Sequence, residues 1–363
     1  MNPALATLLD AAVRAPSGDN TQPWHFAVNE PEGRVTLLLD PARDPSPMNT
    51  GQRMARIALG AALENMVRTA HFNGWSVTDT STTAPTLTVD VSRSAPRAGR
   101  IEPTILQRVT NRRVYDGRTL PPDLLQSLQR QTPEQDRIRC RWIVHRPDLR
   151  QWADFIARTD AILLADPAIR EAFLGNVRFD ASSHASVAEG LSLAALELSR
   201  LDRLALRTLR RLPQWLVLRC GVPRLFARHA RRLVESASGL CLVVAPDDRQ
   251  ETDVRVGRAV QHVWLALTAA GLAVQPMMSP LVLDNILEHG GPEHLAFLDR
   301  GKQQSLQNEL RALEPEIGSG RPAFLLRFGY ALPPTGRTGR RPWQVSTDSG
   351  PRFVPGAPVA QVS

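Results

Sequence analysis

Leu5, Leu8, Leu9, Ala12 and Val13 stand at i, i+3, i+4, i+7 and i+8, so the first element is predicted to be an amphipathic helix with one face in a core. Ala15-Pro16-Ser17-Gly18 ends it, because proline cannot extend the helical hydrogen-bond ladder and glycine favours a turn. Apolar positions then shorten into strand-length runs, about His25 to Val28 and Val35 to Leu39, with a turn at Glu30-Pro31-Glu32-Gly33 between them. A long helix is expected from about Gln52 to Asn73 and a strand from Leu87 to Val91. Further along, a helix begins near Pro121-Pro122-Asp123, and Ala323 to Gly329 reads as a strand. Helical and strand periods alternate, which predicts a mixed fold of the α+β class.

The pattern also returns on itself. Gly60 to Gly74 and Gly257 to Gly271 both begin and end on glycine, carry small and apolar residues in register at a constant offset of 197, and are each followed by a strand. Two unrelated amphipathic helices would share part of this pattern; the order of the flanking elements favours a duplication, with repeat one over about 1–100 and repeat two over about 101–345. An insert from about Phe173 to Glu235 (173–235) has no counterpart in repeat one. From Arg200 to Arg232 it carries ten Arg against one acid, Asp202, interleaved with Leu201, Leu204, Leu209, Leu212 and Trp215. A helical insert of this kind ordinarily presents a solvated face, since Arg stems cover apolar surface while their heads stay wet. The same composition also suits a membrane surface or a cover over an anionic ligand. After Trp343 the chain becomes rich in Pro, Gly and Ser, and 346–363 is expected to be a flexible tail.

A chain of 363 residues with 42% apolar content can bury a sizeable core. No run approaches the ~20 uninterrupted apolar residues of a spanning helix. The N-terminus lacks the basic start, apolar run and small-residue cleavage site of a secretion signal, so a cytoplasmic location is expected. Cys140, Cys220 and Cys241 are odd in number and widely spaced, which argues against a disulfide framework or a Cys-based metal site. The net charge of +8 comes from Arg, because Lys302 is the single lysine. With Gly301-Lys302-Gln303 as the lone Gly-Lys pair, a phosphate-binding GK[ST] loop is excluded, and a Schiff-base lysine has one poor candidate. Acidic residues are scattered through most of the chain and no recognition signature is present, so no nucleic-acid partner is expected.

Four segments carry candidate chemistry. In the turn Pro16-Ser17-Gly18-Asp19-Asn20-Thr21-Gln22-Pro23-Trp24, the Ser17 and Gly18 amides can approach a ligand closely, Asn20 offers both donor and acceptor, and Gln22-Pro23-Trp24 starts a strand. Arg108-Val109-Thr110-Asn111-Arg112 joins guanidinium forks to a hydroxyl, a set that suits phosphate oxygens. Pro276-Met277-Met278-Ser279 follows the second long helix. Arg340 and Arg341 follow the strand that ends at Gly329 and offer a second phosphate contact, or else belong to an exposed basic tail.

The first segment resembles the Pro-Ser-x-x-Asn-x-Gln-Pro-Trp signature of nitroreductase-like flavoenzymes at every defining position, and Arg108 to Arg112 resembles the Arg-x-Ser/Thr-x-Arg/Lys segment of the same superfamily. The order of the pieces is similar to its single-chain, tandem branch associated with mycobacterial dormancy. The resemblance implies an α/β/α sandwich in which two degenerate repeats form an internal pseudo-dimer. It also implies FMN as cofactor, with Pro16, Ser17, Gly18, Asn20 and Gln22 on its polar edge, Arg108, Thr110, Arg112, Arg340 and Arg341 at its phosphate, and the Met278 or Ser279 amide at N5 beside Pro276 and Met277. Met278 stands where the family often has an acid, which bears on redox tuning. NAD(P)H is the implied electron donor and a nitroaromatic, quinone or other flat small molecule the acceptor, with no acid/base triad and no metal. A protein that sequesters FMN, a flavin-dependent tailoring dehydrogenase and a basic interaction module are the rival readings. Repeat one keeps the loop and repeat two keeps the Arg segment, whereas Glu134 and Asp136 stand where the second loop would lie and would repel a phosphate. One FMN per monomeric chain is the expectation.

Overall fold

The computed structural model describes residues 1–90, 98–132, 137–179, 188–198, 200–209, 212–291, 293–315, 320–347 and 350–355. Helix α1 (Pro3–Ala12) is capped by Asn2, whose side chain accepts from the Ala4 amide, and it buries Leu5, Leu8 and Leu9 as its periodicity predicts. The expected hairpin forms from β1 (Trp24–Asn29) and β2 (Arg34–Leu39), antiparallel with Phe26 opposite Leu37. Helix α2 (Arg53–Phe72) follows, then β3 (Val77–Thr80) and β4 (Thr86–Val89). The later strand lies inside, giving the antiparallel order β1-β2-β4-β3.

The rest of the chain builds a second sheet. Helices α3 (Pro103–Gln107) and α4 (Pro122–Gln131) lead to β5 (Arg139–Ile143). There follow α5 (Arg146–Ala165), α6 (Pro167–Asn176), the short pair β6 (Val177–Arg178) and β7 (Leu191–Ser192), α7 (Arg200–Leu209), α8 (Gln214–Arg219) and α9 (Val222–Glu235). The chain then runs through β8 (Gly239–Ala245), α10 (Gln250–Ala269), β9 (Ala273–Pro276), α11 (Ser279–His289), α12 (Arg300–Leu313) and β10 (Arg321–Gly329). This sheet is again antiparallel, in the order β5-β8-β10-β9. Both sheets therefore have one connectivity: two paired strands, a long helix, then two strands of which the later lies inside.

Three expectations are corrected. The material between β5 and β8 that has no equivalent between β1 and β2 begins with α5, so the insert boundary at Phe173 falls inside α6. Composition hid this, because Leu149, Trp152, Ala153 and Ile156 of α5 pack as an ordinary core face. Second, the tail expected from residue 346 is in part paired: β11 (Gln344–Thr347) lies parallel to β1 with Phe26 opposite Val345, and β12 (Gly350–Pro355) pairs with β11. The free edge of β1 supplies hydrogen bonds that local composition does not disclose. Third, the strands include β3, β5 and β8, which the spacing does not mark: β3 and β5 are no more than half-buried apart from Ile143, and all seven residues of β8 are buried and show no period.

Helices α2 and α10 cross closely where Gly60 meets Gly257. A methyl group at Gly60 would overlap the Val254 carbonyl, and one at Gly257 would overlap the Ile57 carbonyl. These contacts are reciprocal, with residue and partner exchanged under the offset of 197 that also separates Arg56 from its ion-pair partner Asp253. Among the described residues, no helix is long and apolar enough to cross a membrane.

Candidate functional site

A cavity of about 240 Å³ opens where the two sheet-and-helix units meet. One wall is the turn after α1, with Pro16, Ser17 and Gly18; the facing wall holds Thr110, Arg112, Gln275, Pro276 and Met278; and Trp264, Phe324 and Ala58 supply apolar surface between them. Three residues of the turn region, Asp19, Asn20 and Gln22, have left-handed backbone at φ 44°, 60° and 53°. Non-glycine residues adopt this region at a cost, and they persist in it where surrounding contacts hold them. Here the Ser17 hydroxyl accepts from the Gln22 amide, and the Gln22 side-chain amide donates to the Asn20 and Ala188 carbonyls.

Behind this wall lies a group of arginines. The Arg108 guanidinium is buried over the Trp264 ring, 4.7 Å from its centroid, and donates to the Arg14 carbonyl. Arg340 donates to Asn20 Oδ1 at 2.9 Å and to the Gly339 carbonyl. Burial first, then repulsion from Arg340 and Arg337, pushes the Arg108 pKa well below the ordinary guanidinium range. Arg340 is lowered to about 10 by burial and by Arg14. The Nε atoms of Arg14, Arg108 and Arg340 are buried and find no hydrogen-bond partner among the described residues. Like charges gathered with unmatched buried donors call for an anion.

The predicted residues thus separate into two sets. Pro16, Ser17, Gly18, Thr110, Arg112, Pro276 and Met278 line the cavity. Asn20 and Gln22 stand behind the wall in protein hydrogen bonds: Asn20 Nδ2 donates to the Ala188, Gly190 and Gly339 carbonyls, and Gln22 Oε1 accepts from the Arg341 amide. Arg341 pairs with Glu189. Met277 is in the core, its amide donating to the Leu325 carbonyl, and the Ser279 hydroxyl is hydrogen bonded with that of Thr159. The amides of Met278 and Ser279, at the start of α11, have no hydrogen-bond acceptor among the described residues. Glu134 and Asp136 lie outside the described residues.

No protein-family model matches the chain. An uncharacterized protein of Mycobacterium tuberculosis, MT1398, is 28% identical over 355 residues, which cover 93% of this chain and 47% of the relative. The chain spans about half the length of the curated relative it matches. Among solved structures it is similar to the FMN-dependent nitroreductase NfnB of Mycobacterium smegmatis in complex with NADPH, at 14% identity and TM-score 0.34 over 63% of this chain and 86% of that one. The FMN and NADPH-dependent nitroreductase NfnB of sphigopyxis sp. strain HMH matches at 16% identity and TM-score 0.33, over 65% of this chain and 94% of that one. A nitroreductase-like family protein of Bacillus cereus matches at 14% and 0.29, over 66% and 89%.

The sequence patterns give no role to two acidic cavity residues, Asp44, which lies outside the quoted segments, and Asp19, which fills an undefined position of the signature turn. Asp44 and Asp19 face the cavity side by side, and Thr21 donates to Asp44 Oδ2 at 3.4 Å. Burial, with repulsion from Asp19, raises the Asp44 pKa to about 6. Asp19 is raised by burial ahead of the opposing hydrogen bond from Asn176 and the charge of Arg112. Asp44 meets the turn only in the fold, so nothing within a local window of sequence marks it. Segment 188–198 packs against the Arg segment: Arg112 donates to the Ala195 carbonyl at 3.0 Å and Arg113 pairs with Glu197.

Proposed function

We propose that this chain is an FMN-dependent oxidoreductase that passes a hydride from NAD(P)H to a flat acceptor, and that its two units form an internal pseudo-dimer with one FMN between them. The observation that carries the reading is the cluster of Arg14, Arg108 and Arg340 with unmatched buried Nε atoms beside an apolar-walled cavity lined by the signature turn. Such a set fits a ligand with a phosphate at one end and a flat ring at the other. Arg108 and Arg340 would hold the phosphate, with Asn20 keeping Arg340 in place; Ser17, Gly18 and Thr110 would border the polar chain; Trp264, Phe324 and Met278 would pack the ring; and the unbonded Met278 and Ser279 amides are the donors available to it. Bound flavin supplies the redox chemistry, while these residues bind, orient and exclude water. The reciprocal crossing of α2 and α10 and the shared strand order support the pseudo-dimer.

An absorption spectrum of the purified protein tests the cofactor, and NAD(P)H oxidation with a quinone acceptor tests turnover. Flavin bands with turnover support the proposal. A colourless protein that takes up no added FMN would sink it, and a yellow protein without turnover would be a flavin holder.

A further inference from the structure

Helices α7, α8 and α9 carry an unusual surface. Of the large apolar side chains that are exposed among the described residues, four belong to them: Leu204 at 61%, Trp215 at 65%, Leu218 at 48% and Leu225 at 51%. In α8 the fully buried Val217 faces the cluster of Leu174, Leu206 and Leu209, so Trp215 and Leu218, three apart, share the opposite side. These side chains stand beside exposed Arg219, Arg224, Arg228 and Arg232, which form no salt bridge among the described residues. No Asp or Glu occurs from Arg203 to Val234.

We infer that this face docks on an anionic bilayer surface, with Trp215, Leu218 and Leu225 seated at the headgroup boundary and the arginines against lipid phosphates. Charge complementarity names the occupant. A face with uncompensated cations is drawn to a negative leaflet, and its exposed Trp and Leu side chains gain by leaving water there. A nucleic acid would answer the arginines but leave the leucines in water. The docking helices follow segment 188–198, whose Ala195 carbonyl accepts from the cavity residue Arg112, so an acceptor dissolved in lipid would be presented near the site.

Sedimentation of the full chain with phosphatidylcholine vesicles, with and without phosphatidylglycerol, tests this. Binding to the anionic vesicles alone, falling as salt rises, is expected. Each arginine near such a surface contributes roughly a fivefold gain in partition, so Arg219→Gln/Arg224→Gln/Arg228→Gln should weaken binding about a hundredfold. Trp215→Ser/Leu218→Ser should weaken it as well and remove a blue shift in tryptophan emission. A wild-type chain that stays in the supernatant with anionic vesicles at low salt overturns the inference without recourse to any variant. So does vesicle binding unchanged in Trp215→Ser/Leu218→Ser together with retention on duplex DNA, which would make the face a nucleic-acid surface.

Discussion

Asp44 sits in the cavity wall with Asp19 beside it, and its pKa of about 6 lies well above the ordinary aspartate value of 3.8. Because the folded state prefers the protonated form, this carboxyl stabilises the fold fully below about pH 4, and the contribution is lost as pH rises through 6. Asp44→Asn keeps the neutral shape, so it should stabilise the fold at pH 8 by on the order of 3 kcal/mol, read as a higher melting temperature, and change little at pH 4; thermal scans at the two pH values check it. Glu64 has the opposite sign. Burial would raise it, but the hydrogen bond with His262 and the charges of Arg258 and Arg68 outweigh burial and hold it at about 2. Its stabilisation is present above the unfolded value near 4.5 and is lost as pH falls toward 2. At the arginine cluster, Arg108→Ala and Arg340→Ala should each weaken FMN binding by roughly ten- to a hundredfold, the range of a charge-assisted hydrogen bond. Arg112→Ala should cost less, because Arg112 already donates to Ala195 and faces Asp19. Flavin fluorescence titrations in low and high salt rank the three, and an Arg112 variant weaker than the other two would reverse the phosphate assignment. Much of this site was legible, since the turn and the Arg segment each concentrate their residues in a dozen positions. Asp44, Trp264 and Phe324 were not, because their chemistry arises only when separate elements meet.

At the level of elements, the crossing of α2 and α10 depends on two missing side chains. Gly60→Ala and Gly257→Ala each place a methyl against a helix carbonyl that cannot move without unwinding, and each should cost about 1–3 kcal/mol or more in urea denaturation. Gly51→Ala, at an open position with φ 64°, tests backbone strain without the clash and should be milder. Helices with a clear apolar face, α1, α2 and α10, could be read directly from spacing, and so could the β1–β2 hairpin from its Pro-Gly turn. Strand β8 could not, since a run of buried residues has no period to distinguish it from a buried helix. Strands β11 and β12 were opposed by their own composition and owe their form to a distant partner.

The whole molecule brings one loop of the first unit against one Arg segment of the second, so one FMN per chain is expected, in a particle that sediments as a monomer. Protein concentration set against flavin released on denaturation decides it, and a ratio near two would require a second, undetected site. The parallel pairing of β11 with β1 also has a consequence for synthesis. Phe26 leaves the ribosome early and Val345 late, and at about 5–20 residues per second the first sheet waits roughly 15–60 s for its neighbour. Through that interval the outer edge of β1 is an open template for any passing strand. A chain stopped before Gln344 keeps that edge open permanently, and should collect in inclusion bodies or bind chaperones while the longer chain stays in solution.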